Sequence, residues 1–196
     1  MFRLSFLNTY FKVVDNATGA WGHINVDDFH TSFDSKFSDT YSPLPNHDFE
    51  DGLNGWKVKS GTAFSAEAVT NETTYWGGSF DQKGTYHLWG FKNGDEATGV
   101  MQSLPFEIGG MGQIDFLISG GEDINNLYVA LVRASDGKEL FKATGSNTER
   151  YSRVIWYAAD HIGEQVYVKI VDNATGGWGH INIDDVNVQA KFGTGQ

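Results

Sequence analysis

Apolar and polar positions alternate with period two along much of the chain between residues 46 and 190, as in strands that bury one face. Ile114, Phe116 and Ile118 alternate with Asp115 and Leu117; Leu127, Val129 and Leu131 alternate with Tyr128, Ala130 and Val132; Val166, Val168 and Ile170 alternate with Tyr167 and Lys169. No long stretch has the 3.6-residue period of an amphipathic helix, and only a short helical turn is expected around Ala158–Ile162. Turn residues punctuate the strands at Asn93-Gly94-Asp95, Gly109-Gly110, Gly120-Gly121, Ser135-Asp136-Gly137 and Gly176-Gly177. Short strands at this spacing predict an all-β, antiparallel β-sandwich of the jelly-roll, lectin-like type.

The last strand has a parity switch. Ile181 and Ile183 share one face and Val186 and Val188 the other, so a β-bulge at Asp184-Asp185 would bring all four inside. The same switch occurs from Ile24 and Val26 to Phe29 across Asp27-Asp28, because residues 12–30 repeat 169–187 with 14 of 19 positions identical. The offset is about one domain and not a solenoid repeat. Residues 1–33 therefore read as the C-terminal remnant of a preceding tandem module, 34–45 as a polar linker, 46–190 as a complete module and 191–196 as a tail. Residues 12–30 match the module's own last strand closely enough to predict a strand-swapped dimer.

Composition narrows the function. The chain has 196 residues, 24 Gly, 3 Pro and a formal net charge of −11, a balance that repels phosphate backbones and anionic lipid headgroups. Nucleic-acid and membrane partners are not expected. No Cys is present, which excludes disulfides, thiolate metal sites and Cys nucleophiles. Nothing at the N-terminus forms a signal-peptide core.

Three constellations carry candidate chemistry. Glu50 and Asp51 would meet Asp184 or Asp185 if the first and last strands pair, an oxygen-rich shell suited to calcium. His87 and Trp89 on one strand, with Trp178, His180 and Asn182 on another, would set aromatic and hydrogen-bonding groups on one sheet face, the mixture that suits a sugar. Asp123, Arg133, and Glu149, Arg150 and Arg153 around Tyr151 add charged groups near Gly turns, suited to vicinal hydroxyls. No nucleophile elbow, zinc-protease motif or phosphate-binding loop occurs.

The stretches Phe49-Glu-Asp-Gly-Leu-Asn-Gly-Trp56, Gly84-Thr-Tyr-His-Leu-Trp-Gly90, Leu127-Tyr-Val-Ala-Leu-Val-Arg133 and Asp172-Asn-Ala-Thr-Gly-Gly-Trp-Gly-His-Ile-Asn-Ile-Asp-Asp185 together resemble the family 66 carbohydrate-binding modules of levanase-type glycoside hydrolases. That resemblance implies a non-catalytic, extracellular β-sandwich that recognises terminal fructosyl units of levan or inulin and holds a covalently linked glycoside hydrolase at its substrate. It also implies a structural calcium, at Glu50 and Asp185. The carbohydrate-binding residues expected from their chemistry are Asp123, Glu149, Arg153, Trp178 and His180, with His87 and Arg133. Two other readings stand beside it: a small jelly-roll glycosidase or lyase, and an adhesion module for another glycan.

Overall fold

Alternation with one apolar face leaves each strand a sheet surface to bury, and two sheets do so by packing face to face. The computed structural model describes residues 13–20, 22, 24–25 and 42–191. The chain divides into two units, Met1–Phe33 and Asp34–Gln196, and all strands named here lie in the second. In chain order they are β1 (Trp56–Gly61), β2 (Val69–Thr70), β3 (Thr74–Tyr75), β4 (Gly78–Ser79), β5 (His87–Trp89), β6 (Gly99–Ser103), β7 (Phe106–Ile108), β8 (Gln113–Gly120), β9 (Leu127–Arg133), β10 (Glu139–Ala143), β11 (Thr148–Tyr157), β12 (Gln165–Asp172), β13 (Ile181–Val188) and β14 (Ala190–Lys191).

One sheet runs β1-β6-β12-β7-β14, with β9 on the other edge of β12 and β10 beyond it; the second runs β11-β8-β13-β5-β2. All pairings are antiparallel. Leu104-Pro105 interrupts the line of strand beside β12 between β6 and β7, which pair with β12 in succession, since proline offers no N–H to a ladder. The fold is an all-β sandwich. Its interior holds Val129, Leu131, Val166, Val168 and Ile170 from one sheet and Ile114, Phe116, Ile118, Ile181 and Ile183 from the other, the positions marked by the alternation, joined by Met101, Phe106 and Leu88. A short 3-10 turn at Ala159–His161 falls where a helical turn was expected.

In β13 the register against β8 slips between Asp184 and Asn187, and Asp185 adopts a φ of 48°. The slip returns Val186 and Val188 to the interior beside Ile181 and Ile183, the bulge that the parity switch requires. Packing begins before Asn46: Ser42 bridges to Ala190 and Leu44 is buried in the core. His47 lies against the bulge, its carbonyl accepting from the Val186 amide at 2.9 Å.

The N-terminal repeat forms the same local turn as its counterpart. The Gly22 amide donates to the Gly19 carbonyl at 3.0 Å, as Gly179 does to Gly176 at 2.7 Å. The flanking apolar residues differ in surroundings: Val13, Val14 and Ile24 are exposed, whereas the matching Ile170, Val171 and Ile181 are buried. The turn is thus encoded locally, while burial requires the sheets. The strand exchange expected of residues 12–30 would run through 24–30, of which 26–30 lie outside the described residues.

Candidate functional site

Both faces of the five-stranded sheet are used. Its inner face is the sandwich core, and its outer face carries His87 and Trp89 of β5, Asn182 of β13, Ser119 and Leu117 of β8, and Glu149, Tyr151 and Arg153 of β11. The segment between β2 and β5 folds over this face, placing Phe80 on Trp89, Leu117 and Tyr151. Phe80 lies 4.9 Å from Trp89 and 4.6 Å from His87 between ring centroids. The aromatic and polar mixture expected on one sheet face is therefore there, but covered: Glu149, His87 and Asn182 are fully buried and His180 is 1% exposed.

Glu149 is the hub of a buried network. Its Oε2 accepts from Trp89 Nε1 at 2.9 Å and from Asn182 Nδ2 at 2.7 Å. Asn182 also donates to Ser119 Oγ, and its Oδ1 accepts from the Gly90 amide at 2.9 Å. Glu149 Oε1 lies 3.1 Å from His180 Nε2, close enough for an ion pair but off the direction of a good hydrogen bond. His180 Nδ1 meets Asp95 Oδ1 at 2.6 Å. A polar network this deep holds β5, β11 and β13 in one relative position.

The two buried histidines shift in opposite directions. Burial pushes the His87 pKa down; its Nε2 lies 2.9 Å from the Glu72 carbonyl and its Nδ1 2.8 Å from the Tyr151 hydroxyl, which donates to the Leu88 carbonyl. Burial also works against charge on His180, but Glu149 and Asp95 outweigh it and raise the pKa, as two flanking carboxylates require. Asp172 is buried nearby; the Ile181 and Ala174 amides face it without well-directed bonds, and burial raises its pKa to about 7 despite the His180 charge.

These shifts predict a pH slope. A histidine with a raised folded pKa stabilises fully below its ordinary 6.5 and loses that contribution as pH rises through the folded value. Asp172 holds its proton in the fold above 3.8, so its contribution declines from there up to about pH 7. Because the lowered His87 pKa works in the opposite sense below pH 6.5, the fall is expected from pH 6.5 to 8, where Asp184, raised to about 8, adds to it; scanning calorimetry should show thermal stability falling over that window, and Asp172→Asn should flatten the part below pH 7. Stability constant or rising over that interval would contradict both assignments.

An open cavity of about 320 Å³ adjoins this face, lined by Tyr75, Gly77, Gly78, Ser79, Asp81 and Arg150. It is formed where the β3–β4 hairpin stands beside β11. Tyr75 rests on Phe80 at 5.2 Å. Gly77 has no room for a Cβ, which would lie 2.4 Å from the Tyr75 ring. Asp81, at a φ of 58°, receives Arg150 Nε at 2.5 Å. Hydrogen bonds from Ser79 and Arg150 lower the Asp81 pKa, so this carboxylate is charged at neutral pH. A cavity of this size, with a tyrosine wall and a charged pair at its edge, suits a small polar ligand.

The expected sugar-binding residues do not converge on one opening. Glu149 and His180 meet in the network, and His87 joins the same face through Tyr151. Trp178, half-buried at a φ of 63°, lies 5.8 Å from the His180 ring. Asp123 instead caps a turn, accepting from the Asn125 and Asn126 amides and from Asn126 Nδ2. Arg133 is on the opposite sheet, bound to Glu164 and Asp136. Arg153 shares the face of Glu149 but reaches the bulge, pairing with Asp115 and with Asp185 Oδ2 at 2.5 Å. The reason is common to these charges: each found a nearby partner of opposite sign or an unpaired backbone amide. Of the cavity residues, only Arg150 had stood out in the sequence.

At the expected calcium position the structure separates the two adjacent acids. Asp185 turns to Arg153, whereas fully buried Asp184 faces the loop after β4, accepting from the Lys83 amide at 2.7 Å. Glu50 Oε1 accepts from the Thr85 and Tyr86 amides of that loop at 2.5 and 2.9 Å. Burial, with the charges of Asp185 and Asp48, raises the Asp184 pKa to about 8. No three His, Asp or Glu side chains among the described residues form a ligand cluster. Glu50 and Asp184 thus both accept from amides of the same loop, and among the described residues no lysine or arginine side chain pairs with Asp184.

No family model matches the chain. A protein of Aspergillus rugulosus provisionally named as the glycosyl hydrolase ecdE is 41% identical over 96 residues, which are 49% of this chain and 13% of that protein. The chain thus corresponds to a small part of that relative's length. Among solved structures, TmCBM61 in complex with β-1,4-galactotriose superposes with a TM-score of 0.47 at 20% identity, covering 78% of this chain and 99% of that one. The CBM22-1 xylan-binding domain of Paenibacillus barcinonensis Xyn10C gives 0.40 at 11%, covering 76% and 94%. A cyclase from Fischerella sp. TAU gives 0.43 at 12%, covering 77% and 96%.

Proposed function

We propose that the unit from residue 34 to 196 is a non-catalytic carbohydrate-binding module whose cavity beside the β3–β4 hairpin takes a terminal fructosyl unit of levan or inulin. The observation that carries this reading is the cavity itself: an open recess with Tyr75 as wall and the Asp81–Arg150 pair at its edge. An apolar sugar face can lie on the ring while hydroxyls bond to the carboxylate and guanidinium. The family resemblance supplies the fructan specificity. Asp81 is the one carboxylate lining the recess and is held ionised by its partners; glycoside hydrolysis ordinarily needs two acids in different states.

The partner in this reading is an extracellular fructan chain end, with a covalently linked glycoside hydrolase in the parent protein. Calcium bound by Glu50 and Asp184 would neutralise the charge concentrated between the opening segment and the bulge. A recess for one terminal sugar makes few contacts, so affinity should be weak, on the order of micromolar to millimolar.

Arg150→Ala or Asp81→Ala should weaken retention in levan-containing native gels about tenfold. Melting should hardly move, because exposed ion pairs contribute only about 0–1 kcal/mol. Unchanged retention by both variants would overturn the placement of the site.

A further inference from the structure

We propose that Trp76, Phe91 and Trp178 form a stacking track leading out of the recess, on which the second and following units of an oligosaccharide lie. The inference rests on the glycan-binding reading above and extends it from one terminal sugar to a chain.

Among the described residues, Trp76 is the largest apolar side chain left open, 66% exposed. It stands at the tip of the β3–β4 hairpin between Tyr75 and Gly77, which both line the recess. A lone exposed tryptophan needs no explanation, but this one is held on several sides. Its ring packs edge-on against Phe91 at 5.3 Å and Tyr75 at 5.8 Å, and lies 6.4 Å from Trp89. Such a fixed ring loses little conformational entropy when a ligand stacks on it.

The series continues from Trp76. Half-buried Phe91 lies 5.2 Å from the His180 ring, and His180 lies 5.8 Å from half-buried Trp178. His180 is anchored by Asp95 and Glu149, so the buried network positions the rings on either side of it. Trp178 is kept in a left-handed backbone conformation that costs energy for a non-glycine residue, and such costs concentrate at ligand sites. This accounts for the network, which binds no ligand directly yet organises the outer face. A net charge of −11 favours a neutral chain over a polyanion as the occupant.

The test titrates the intact chain with fructose, a β-2,6-linked fructose disaccharide and the corresponding tetrasaccharide, read by calorimetry and ligand-observed NMR. Affinity should rise about tenfold, equivalent to about 1.4 kcal/mol, from monosaccharide to tetrasaccharide. Trp76→Ala should remove most of that rise while leaving fructose binding in place, and tryptophan fluorescence should respond to the tetrasaccharide more than to fructose. Equal affinities for all three ligands, or a full rise in Trp76→Ala, would overturn the track while leaving the recess intact. Absence of binding by every ligand would overturn the glycan-binding reading and the track with it. A concentration-dependent dimer abolished by Trp76→Ala would also overturn the track, making the ring a contact between copies of this chain.

Discussion

Glu149→Ala should cost about 3–5 kcal/mol of stability, the usual consequence of removing one partner from a buried ion pair. Glu149 is fully buried and satisfies Trp89 Nε1 and Asn182 Nδ2 while facing His180. Its loss leaves two donors without an acceptor and the buried His180 with Asp95 as its remaining carboxylate partner. For a unit of this size the loss corresponds to a melting decrease of roughly 6–20 °C, to be measured by circular dichroism at pH 6. Glu149→Gln, which keeps an acceptor of the same shape, should lose less. It should also lower the His180 pKa, seen in an NMR titration of the imidazole protons, because the Glu149 charge is among the causes that raise it. A melting temperature unchanged in both variants would mean that the network does not hold β5, β11 and β13 together.

Calcium should have the second large effect. At a concentration a hundredfold above its Kd, a ligand that binds only the folded state adds about 3 kcal/mol, or roughly 6–12 °C here. Chelator-treated protein should melt that much earlier than protein in calcium. Asp184→Asn should abolish the difference, whereas Asp185→Asn should retain it in part, because Asp185 is committed to Arg153. Equal melting of the wild-type chain with calcium and with chelator would remove the cation from the account.

The sandwich was legible in the sequence because its inner faces follow a simple period. Ile114, Phe116 and Ile118 face Val129 and Leu131 across the core, and each was marked by alternation. The bulge was legible for the same reason: only an extra residue can bring Ile183 and Val186 to one face. The expected site was partly legible. Trp89, His180 and Asn182 do share one side of a sheet, as their parity indicates. Parity, however, does not show what covers that side, and the segment carrying Phe80 turns an anticipated binding surface into a buried network. The recess residues left almost no trace, because Asp81 and Arg150 are 69 positions apart and their meeting depends on tertiary folding. Two local signals did exist, the Gly77-Gly78 pair that forces a tight hairpin and the tryptophan at its tip.

The choice between Asp184 and Asp185 could not be read from spacing alone. Adjacent residues in a regular strand point to opposite faces, but inside a bulge their directions depend on the local backbone. Here the left-handed conformation falls on Asp185, which turns to Arg153, and Asp184 is left against the Lys83 loop.

The measurement that tests the central claim most directly is calorimetric titration of the intact chain, in calcium, with a short levan oligosaccharide, paired with an assay for released reducing sugar over the same incubation. The account predicts saturable heat with one site per chain, a Kd on the order of micromolar to millimolar, and no sugar release. Absence of heat with levan and inulin oligosaccharides alike, or steady release of reducing sugar, would contradict it.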